Sequence, residues 1–460
     1  MKPNALLPGL LLAMVASCDS VLDVDPINEI SEERAIVSPA TARAAVAGMY
    51  DGLQSTTYYG GTFLVFCDLS AEDVEHTGTF TTWRQADQNA LTADNGTIEG
   101  LWDALYRTIG RANIVIAKVP TVPGLEAAER DQMLGEAHFI RALSYHNLVK
   151  IWGEESTSGM GVPLVLEPPA DIAAASKVSR ATTGAVYTQV LSDLQEAEAV
   201  TSVVNATRQT SLGAIRAIRA RVLLYQQDWA AAEAEAEAVA GMGYALAPQY
   251  SDLFTADGAN TSEDIFRINF TPTEFNLMGW YYRAKGAAGG RREVTPSDTL
   301  LRAYDPAYAG TPATYSPVDL RGQWNVAFQG TTLYGSKYPT GAGAEDIHAI
   351  RFAEVLLIKA EAEARQNKLI EADSSLNPIR LRAGLTPLDL TTMTQQEAID
   401  AILQERRLEL VYEGDRWPDL VRTARAVLVM NLVGREYQQR YPIPQNELDV
   451  APNLAQNPNY

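Results

Sequence analysis

The chain has 460 residues, and its 37 basic against 57 acidic side chains give a formal net charge of −20. Because no basic surplus is available to neutralise phosphates, this composition argues against a nucleic-acid-binding protein. A chain of this length buries a large core and is long enough for two or three domains. Cysteine occurs only twice, so we expect a fold without disulfide bonds.

The N-terminal segment has the layout of a secretory signal peptide. Lys2 is followed by an apolar stretch that is shorter than the about 20 residues a membrane-spanning helix needs. This stretch ends in two small residues before Cys18, a pattern typical of lipoprotein signals that are cleaved before an acylated cysteine. We therefore expect a signal peptide over residues 1–17, lipidation of Cys18 and an extended tether over residues 18–38. The alternative is an ordinary signal peptide with a coincidental cysteine.

Helical patterns dominate the next two hundred residues. Ser38 is suited to cap a helix that has Pro39 at its first position and runs to about Leu53. Residues 55–96 are rich in Thr, Gly, Asp and Asn, which predicts mostly loop. Further helices are predicted at residues 98–117, 126–151, 182–200 and 211–226.

Two later segments each read as a helix, a tight turn and a return helix. In the first, the apolar stripe of residues 211–226 is followed by a helix from Asp228 to about Val239. In the second, a helix that begins near Phe352 is followed by a turn and a return helix over residues 372–382. Units of about 34 residues with this pattern resemble tetratricopeptide hairpins. Each unit hides only part of its apolar face, so several must stack.

Residues 243–346 form a different, irregular region. Phe266, Ile268 and Phe270 alternate with polar residues, which predicts a strand. The rest of the region is rich in Gly, Thr, Pro and Tyr. Long irregular segments inside a compact protein are usually functional or disordered, and the aromatic residues favour order here.

Aromatic side chains in predicted loops suggest a surface for binding sugars. The faces of Trp and Tyr rings stack on the C–H faces of sugars, while neighbouring amide and guanidinium groups bond the hydroxyls. Trp83–Arg84, Trp280–Arg283 and Trp324–Asn325 have this character, although a loop aromatic also folds back onto its own protein. The candidate ligand-binding residues are Trp83, Asn276, Trp280, Tyr281, Tyr282 and Trp324.

Signals for catalysis are weak. Glu405, Glu409 and Glu413 share one helix face, and paired acids occur in glycosidases. The arginines beside them favour structural ion pairs instead. His138 and His146 are about 12 Å apart along one helix, too far to share a metal ion. We therefore predict no catalytic residue, no metal site and no cofactor.

Several motifs, in order along the chain, resemble the SusD/RagB family of nutrient-binding outer-membrane lipoproteins. The set covers nearly all of the chain after the signal peptide and is highly specific as an ordered series. Its main members are residues 102–113, 136–153, 161–164, 220–229, 350–361, 376–384, 405–410, 413–422 and 441–444.

The resemblance implies a mostly α fold of four tetratricopeptide-like units, with minor β structure and an irregular ligand-facing region. It divides the chain into an N-terminal SusD-like domain, residues 39–242, and a C-terminal SusD/RagB domain, residues 243–460. It also implies that some residues connect the helices rather than bind ligand. These structural residues are Glu136, Arg141, Arg351, Glu354, Arg406, Glu409 and Arg416.

The resemblance further implies a non-catalytic protein that is anchored by lipid to the outer membrane and faces the outside of the cell. Such a protein binds nutrients, chiefly oligosaccharides, and delivers them to a SusC-like TonB-dependent transporter. Three alternatives remain: a RagB-like receptor for peptides, a helical glycoside hydrolase, and a scaffold of helical repeats that binds only the transporter.

Overall fold

The computed structural model describes residues 36–168, 176–255, 258–286 and 289–460. Cys18, the predicted signal peptide and most of the predicted tether lie outside these residues. Of the residues that the structure describes, 53% are helical, and they form 17 helices and eight short strands. The prediction of a mostly α fold with minor β structure is therefore confirmed.

The helices in chain order are α1 (Pro39–Gln54), α2 (Thr62–Leu69), α3 (Thr81–Asp87), α4 (Gly96–Lys118), α5 (Ala127–Trp152), α6 (Thr183–Val200), α7 (Leu212–Tyr225), α8 (Trp229–Ala240), α9 (Met278–Tyr282), α10 (Asp298–Tyr304), α11 (Leu320–Asn325), α12 (Phe352–Arg365), α13 (Leu369–Arg382), α14 (Gln395–Glu409), α15 (Arg416–Arg422), α16 (Ala426–Val429) and α17 (Gln445–Val450). The strands are β1 (Val74–His76), β2 (Met160–Pro163), β3 (Arg180–Thr182), β4 (Asp264–Ile268), β5 (Val294–Pro296), β6 (Val326–Gln329), β7 (Thr332–Gly335) and β8 (Ile347–Arg351).

The long helices pack in a continuous stack. α1 packs on α4, α4 on α5, and α5 on α6, while the α7–α8 hairpin packs on α12, which also contacts α13 and α14. Each of the two predicted hairpins has its turn where the sequence places it, between α7 and α8 and between α12 and α13. Ser38 caps α1 by accepting a hydrogen bond from the backbone of Thr41, and Pro39 occupies the first turn. The predicted stack of tetratricopeptide-like units is confirmed.

The strands pair two by two into antiparallel ladders: β1 with β5, β2 with β3, β4 with β8, and β6 with β7. The predicted strand near Phe266 exists as β4, and every residue in it is buried. Arg267 is buried too. Its charge is compensated there, because carboxylate oxygens of Asp264 and Asp346 lie within 3.6 Å of its guanidinium. The ladder of β1 with β5 brings residues 74–76 against residues 294–296.

The prediction that residues 55–96 are mostly loop missed three short elements, although more than half of the stretch lies outside helices and strands. This stretch contains α2, β1 and α3. All eight residues of α2 are buried, so the helix lacks the polar face on which a periodic pattern depends. Neither α2 nor α3 has a side-chain cap at its N-terminus, so the usual start signal is missing as well.

Buried ion pairs connect the elements of the C-terminal half. The guanidinium of Arg351 donates to the carboxylates of Glu263 at 2.7 Å, Glu409 at 2.5 Å and Glu413 at 2.8 Å. Glu354 accepts from Arg221 at 2.7 Å and from Arg406 at 3.1 Å. A fully buried charge is expensive unless it is paired and hydrogen-bonded, so these groups specify how α7, α12 and α14 fit together.

The other charged residues that were predicted to be structural also make polar contacts inside the protein. Arg141 donates to Asp193 at 2.6 Å and so joins α5 to α6. Glu136 accepts from Gln132 at 2.9 Å within α5. Arg416 donates to Glu72 at 3.1 Å across 344 positions of sequence. None of the helices that the structure describes is both long and apolar enough to cross a bilayer.

Candidate functional site

Three of the sequence-predicted residues meet in one aromatic cluster. Trp83 comes from α3, and Trp280 and Tyr281 come from α9. The ring centres of Trp83 and Tyr281 lie 4.7 Å apart, and those of Trp280 and Tyr281 lie 5.3 Å apart. Phe80, which the sequence analysis did not single out, joins the cluster 5.2 Å from Trp83. We call these four residues the aromatic cluster.

The expectation that these aromatics lie on loops is wrong, because all three lie in short helices. The expectation that they are exposed is wrong for Trp83 and Tyr281, which are each only 4% exposed. Trp83 packs edge-to-face on Phe66 with the ring centres 6.1 Å apart, and the Tyr281 hydroxyl lies 3.2 Å from the hydroxyl of Thr62. These two side chains therefore form the base of the cluster and leave its outer face to Phe80 and Trp280.

The outer face consists of two tilted aromatic rings with a guanidinium over both of them. Phe80 and Trp280 are half-buried, with their ring centres 6.4 Å apart. The guanidinium of Arg291 lies 4.5 Å from the Phe80 ring centre and 5.1 Å from the Trp280 ring centre. A cation over an aromatic face is attracted by the quadrupole of the ring. We call this arrangement the Phe80–Arg291–Trp280 stack.

Glu293 holds the stack from beneath. Its buried carboxylate pairs with Arg291 and accepts a 2.7 Å hydrogen bond from the backbone N–H of Thr79. Arg291 also donates to the Thr79 hydroxyl at 2.6 Å. The ladder of β1 with β5 positions these groups, since His76 pairs with Val294. The stack is thus preformed by backbone pairing and by a buried charge.

His76 lies beside this carboxylate. Its Nε2 is 3.8 Å from Glu293 Oε2, and both side chains are almost fully buried. Burial lowers the pKa of His76 and outweighs the opposite effect of Glu293. The neutral imidazole therefore leaves Arg291 as the main cationic partner of Glu293.

The other three predicted residues lie outside the aromatic cluster. Asn276 is buried, and its Nδ2 donates to the carbonyls of Gly343 at 3.1 Å and Glu345 at 2.7 Å. Its Oδ1 accepts from the backbone of Met278, so Asn276 anchors the loop that leads into α9. Burial therefore removes Asn276 from the expected contact surface.

Tyr282 and Trp324 contact other parts of the protein rather than the aromatic cluster. Tyr282 is buried and donates to Asp68 at 2.7 Å. Trp324 lies in α11 rather than in a loop, is half-buried, and donates to the carbonyl of Lys337 at 3.3 Å. Within the described residues it makes none of the ring contacts of the aromatic cluster. No sequence signal pointed to Arg291, because only the pairing of β1 with β5 brings it to Phe80.

The three glutamates that suggested glycosidase chemistry are all engaged in ion pairs. Arg380 donates to Glu405 at 2.7 Å. Arg351 bonds both Glu409 and Glu413. Burial raises the pKa of Glu413, but the charges of Arg351 and nearby Lys337 outweigh it and lower that pKa to about 2. A general acid needs the opposite shift, toward the pH at which it works.

Two family models cover most of the chain. One, described as the SusD family, matches residues 228–433. The other, described as starch-binding and associating with the outer membrane, matches residues 21–224. The chain belongs to the SusD family. The family resemblance that the sequence motifs carry is therefore confirmed across both halves of the chain.

Relatives within the SusD family match nearly the whole chain or part of it. The SusD-like protein P38 of Formosa agariphila is 29% identical over 98% of this chain and 97% of its own length. The starch-binding protein SusD of Bacteroides thetaiotaomicron is 32% identical over 38% of this chain and 30% of its own. A solved structure of a laminarin-binding SusD-like protein superimposes with a TM-score of 0.75, at 25% identity, over 92% of this chain and all of that one.

Proposed function

We propose that this protein binds oligosaccharides at the cell surface and delivers them to a SusC-like TonB-dependent transporter. The observation that carries the proposal is the Phe80–Arg291–Trp280 stack, a preformed set of two half-buried rings and one guanidinium. A sugar ring offers C–H faces to aromatic side chains and hydroxyls to hydrogen-bonding groups. The stack supplies both kinds of partner, because a guanidinium has five N–H donors and Arg291 uses only some of them on Thr79 and Glu293.

The rigidity of the stack suits this task. Trp83 and Tyr281 support the rings from below, and Glu293 fixes the guanidinium. A preformed site loses little side-chain freedom on binding, so a small contact area still gives useful affinity. Few contacts also allow fast release, which handing a ligand to a transporter requires.

The relatives support the glycan class and the location. The names of two of them record binding of starch and of laminarin, and one family description places its members at the outer membrane. In this proposal Cys18 carries the lipid that anchors the protein to the outer leaflet.

The paired glutamates favour binding over hydrolysis. Inverting and retaining glycosidases both need one carboxylic acid that keeps its proton near neutral pH and one free carboxylate. Glu409 and Glu413 are instead held ionised by Arg351, as burial is outweighed by the positive charges around them. Within the described residues, both carboxylates pair with Arg351 inside the protein and are not free to act on a ligand.

Isothermal titration tests the proposal. Laminarin and starch oligosaccharides should release or absorb heat with the wild-type protein, and Trp280→Ala should weaken binding about tenfold or more. Trp229→Ala is the matched control, because Trp229 is also half-buried beneath an arginine, with Arg365 5.1 Å from its ring centre. Heat with peptides but with no glycan would favour a peptide receptor and reject the glycan class.

A second experiment tests the transporter. Tagged protein purified from detergent-solubilised outer membranes should bring down a TonB-dependent barrel in near-equal amount. Recovery of the tagged protein alone, under conditions in which other outer-membrane complexes stay intact, would reject delivery to such a barrel.

A further inference from the structure

A polar cavity of about 420 Å³ lies between the end of α1, the middle of α4 and the loop before α9. This volume is within the roughly 300–1,000 Å³ of small-molecule sites. α1 contributes Asp51 and Gln54, and α4 contributes Arg107 and Arg111. No residue of the aromatic cluster lines the cavity, so the two surfaces are separate.

The arginines of the cavity retain unused hydrogen-bond donors. Arg111 donates through Nη1 alone, to the Gly48 carbonyl at 2.6 Å and to Asp51 at 2.7 Å. Arg107 uses Nε and Nη2 on Asp103. Since a guanidinium carries five N–H groups, each arginine keeps donors that no described group of the protein accepts. These donors are available to hydroxyls of a ligand.

The walls of the cavity are fixed before any ligand binds. Gln54 donates to the carbonyl of Asn269 at 2.5 Å and so ties α1 to the start of the loop. Thr271 and Glu274 exchange two backbone hydrogen bonds of 3.0 and 3.1 Å, which close a tight turn. The backbone N–H of Asn276 donates to Gly343 at 2.9 Å. A ligand therefore meets a shaped groove rather than a loop that must be ordered.

The turn presents an unusual pair of side chains. Phe275 is 47% exposed and, within the described residues, stacks on no other ring. Glu274 is exposed next to it, and its carboxylate accepts no hydrogen bond from the described residues. An exposed ring beside unused donors and an unpaired acceptor suits a sugar, which offers C–H faces to the ring and hydroxyls to the polar groups.

The groove continues beyond this cavity. Its residue Phe275 is also close in sequence to Trp280 of the stack. A second cavity of about 450 Å³ shares Asp51, Gln54 and Glu274 with the first. Phe275 and Trp280 are five residues apart, so their Cα atoms are at most about 18 Å from each other. An extended oligosaccharide is long enough to span this Cα separation.

We infer that the groove between α1, α4 and the turn at residues 271–275 is a second subsite for oligosaccharides, with Phe275 as its stacking face. The inference rests on the proposed function, because the stack holds one part of the sugar chain while the groove holds another. It predicts that affinity grows with the length of the oligosaccharide and that Phe275 and Glu274 together are the source of this growth.

Titration with a trisaccharide and a heptasaccharide, prepared from both laminarin and starch, tests the inference. The wild-type protein should bind the heptasaccharide about tenfold more tightly than the trisaccharide. Phe275→Ala and Glu274→Gln should remove most of this difference and leave the affinity for the trisaccharide unchanged. Trp280→Ala should weaken both. Leu428→Ala, which removes an 85% exposed apolar side chain on α16, is the control and should change neither.

The outcomes separate the two proposals. Length-dependent affinity that persists in Phe275→Ala overturns the second subsite and leaves the proposed function intact, provided that Trp280→Ala still weakens binding. Absence of binding by the wild-type protein to either series rejects the proposed glycan function, and the second subsite with it. Thermal melting of each variant identifies a loss of fold, which Phe275 and Glu274 should not cause because both are exposed.

Discussion

The Tyr282 hydroxyl donates a 2.7 Å hydrogen bond to Oδ2 of Asp68 in the interior of the protein. The other carboxyl oxygen of Asp68 accepts from the backbone N–H of Gly414 at 3.2 Å. Tyr282 ends α9 and Asp68 lies in α2, so this contact joins the helix that carries Trp280 to the core. The position of the stack therefore depends on a buried carboxyl group.

The protonation of the Asp68 carboxyl should make the free energy of unfolding depend on pH. Burial raises its pKa from 3.8 to about 8, so between these values the folded state binds a proton that the unfolded state has released. By linkage, the contribution of Asp68 to the free energy of unfolding is most favourable below about pH 4. This contribution is lost as the pH rises toward about 8. Asp68→Asn removes this dependence.

Urea unfolding of the wild-type protein and Asp68→Asn across this pH range measures the effect. The stability of the variant relative to the wild type should rise between about pH 5 and 8 and then level off. A difference between the two proteins that stays constant with pH would show that Asp68 titrates at its ordinary value.

The network around Arg351 should dominate the stability of the C-terminal half. Arg351→Met leaves Glu263, Glu409 and Glu413 short of a buried cation, and breaking such a pair typically costs about 3–5 kcal/mol. Arg43→Met is the control, since Arg43 pairs with Glu129 at the surface and the change should hardly shift the urea midpoint. Equal midpoints for the two variants would contradict a structural role for this network.

A close approach of two backbones should make Gly279 irreplaceable. A Cβ at this position would lie 1.8 Å from the carbonyl oxygen of Thr340, so Gly279→Ala must move either α9 or the adjacent segment. We expect a lower melting temperature and weaker binding of laminarin oligosaccharides, because Trp280 is the next residue.

Gly110→Ala is the matched control for this change. Gly110 lies inside α4, and nothing lies within 4 Å of the Cβ that it would gain. Alanine in a helix interior is favoured over glycine by about 0.5–1 kcal/mol, so this variant should melt higher than the wild type. A lower melting temperature for both variants would remove the special role of Gly279.

Cys18 is expected to determine how the protein is held at the membrane. Cys18→Ser should move the protein from the membrane fraction to the soluble fraction of the cell envelope and abolish its labelling by a palmitate analogue. Cys67 is buried and unpaired, and burial raises the pKa of its thiol, so it does not substitute as a lipid acceptor. Membrane retention of Cys18→Ser with undiminished labelling would contradict the anchor.

The sequence by itself determined the helical body. Apolar stripes at helical spacing predicted α7 and α12, and Ser38 with Pro39 marked the start of α1. These signals are local: each depends on residues within one or two turns. The same reasoning missed α2, because a helix that is buried on every face has no periodic pattern to detect.

Only the tertiary structure decided the candidate site. Phe80 and Arg291 are 211 positions apart, and they meet because β1 pairs with β5 over the buried carboxylate of Glu293. Tertiary packing also separated Trp280, which keeps a half-exposed ring, from its neighbours Tyr281 and Tyr282, which are buried. The sequence named the right short segment of aromatics, but exposure depends on which face of α9 the core covers, and contacts distant in sequence determine that face.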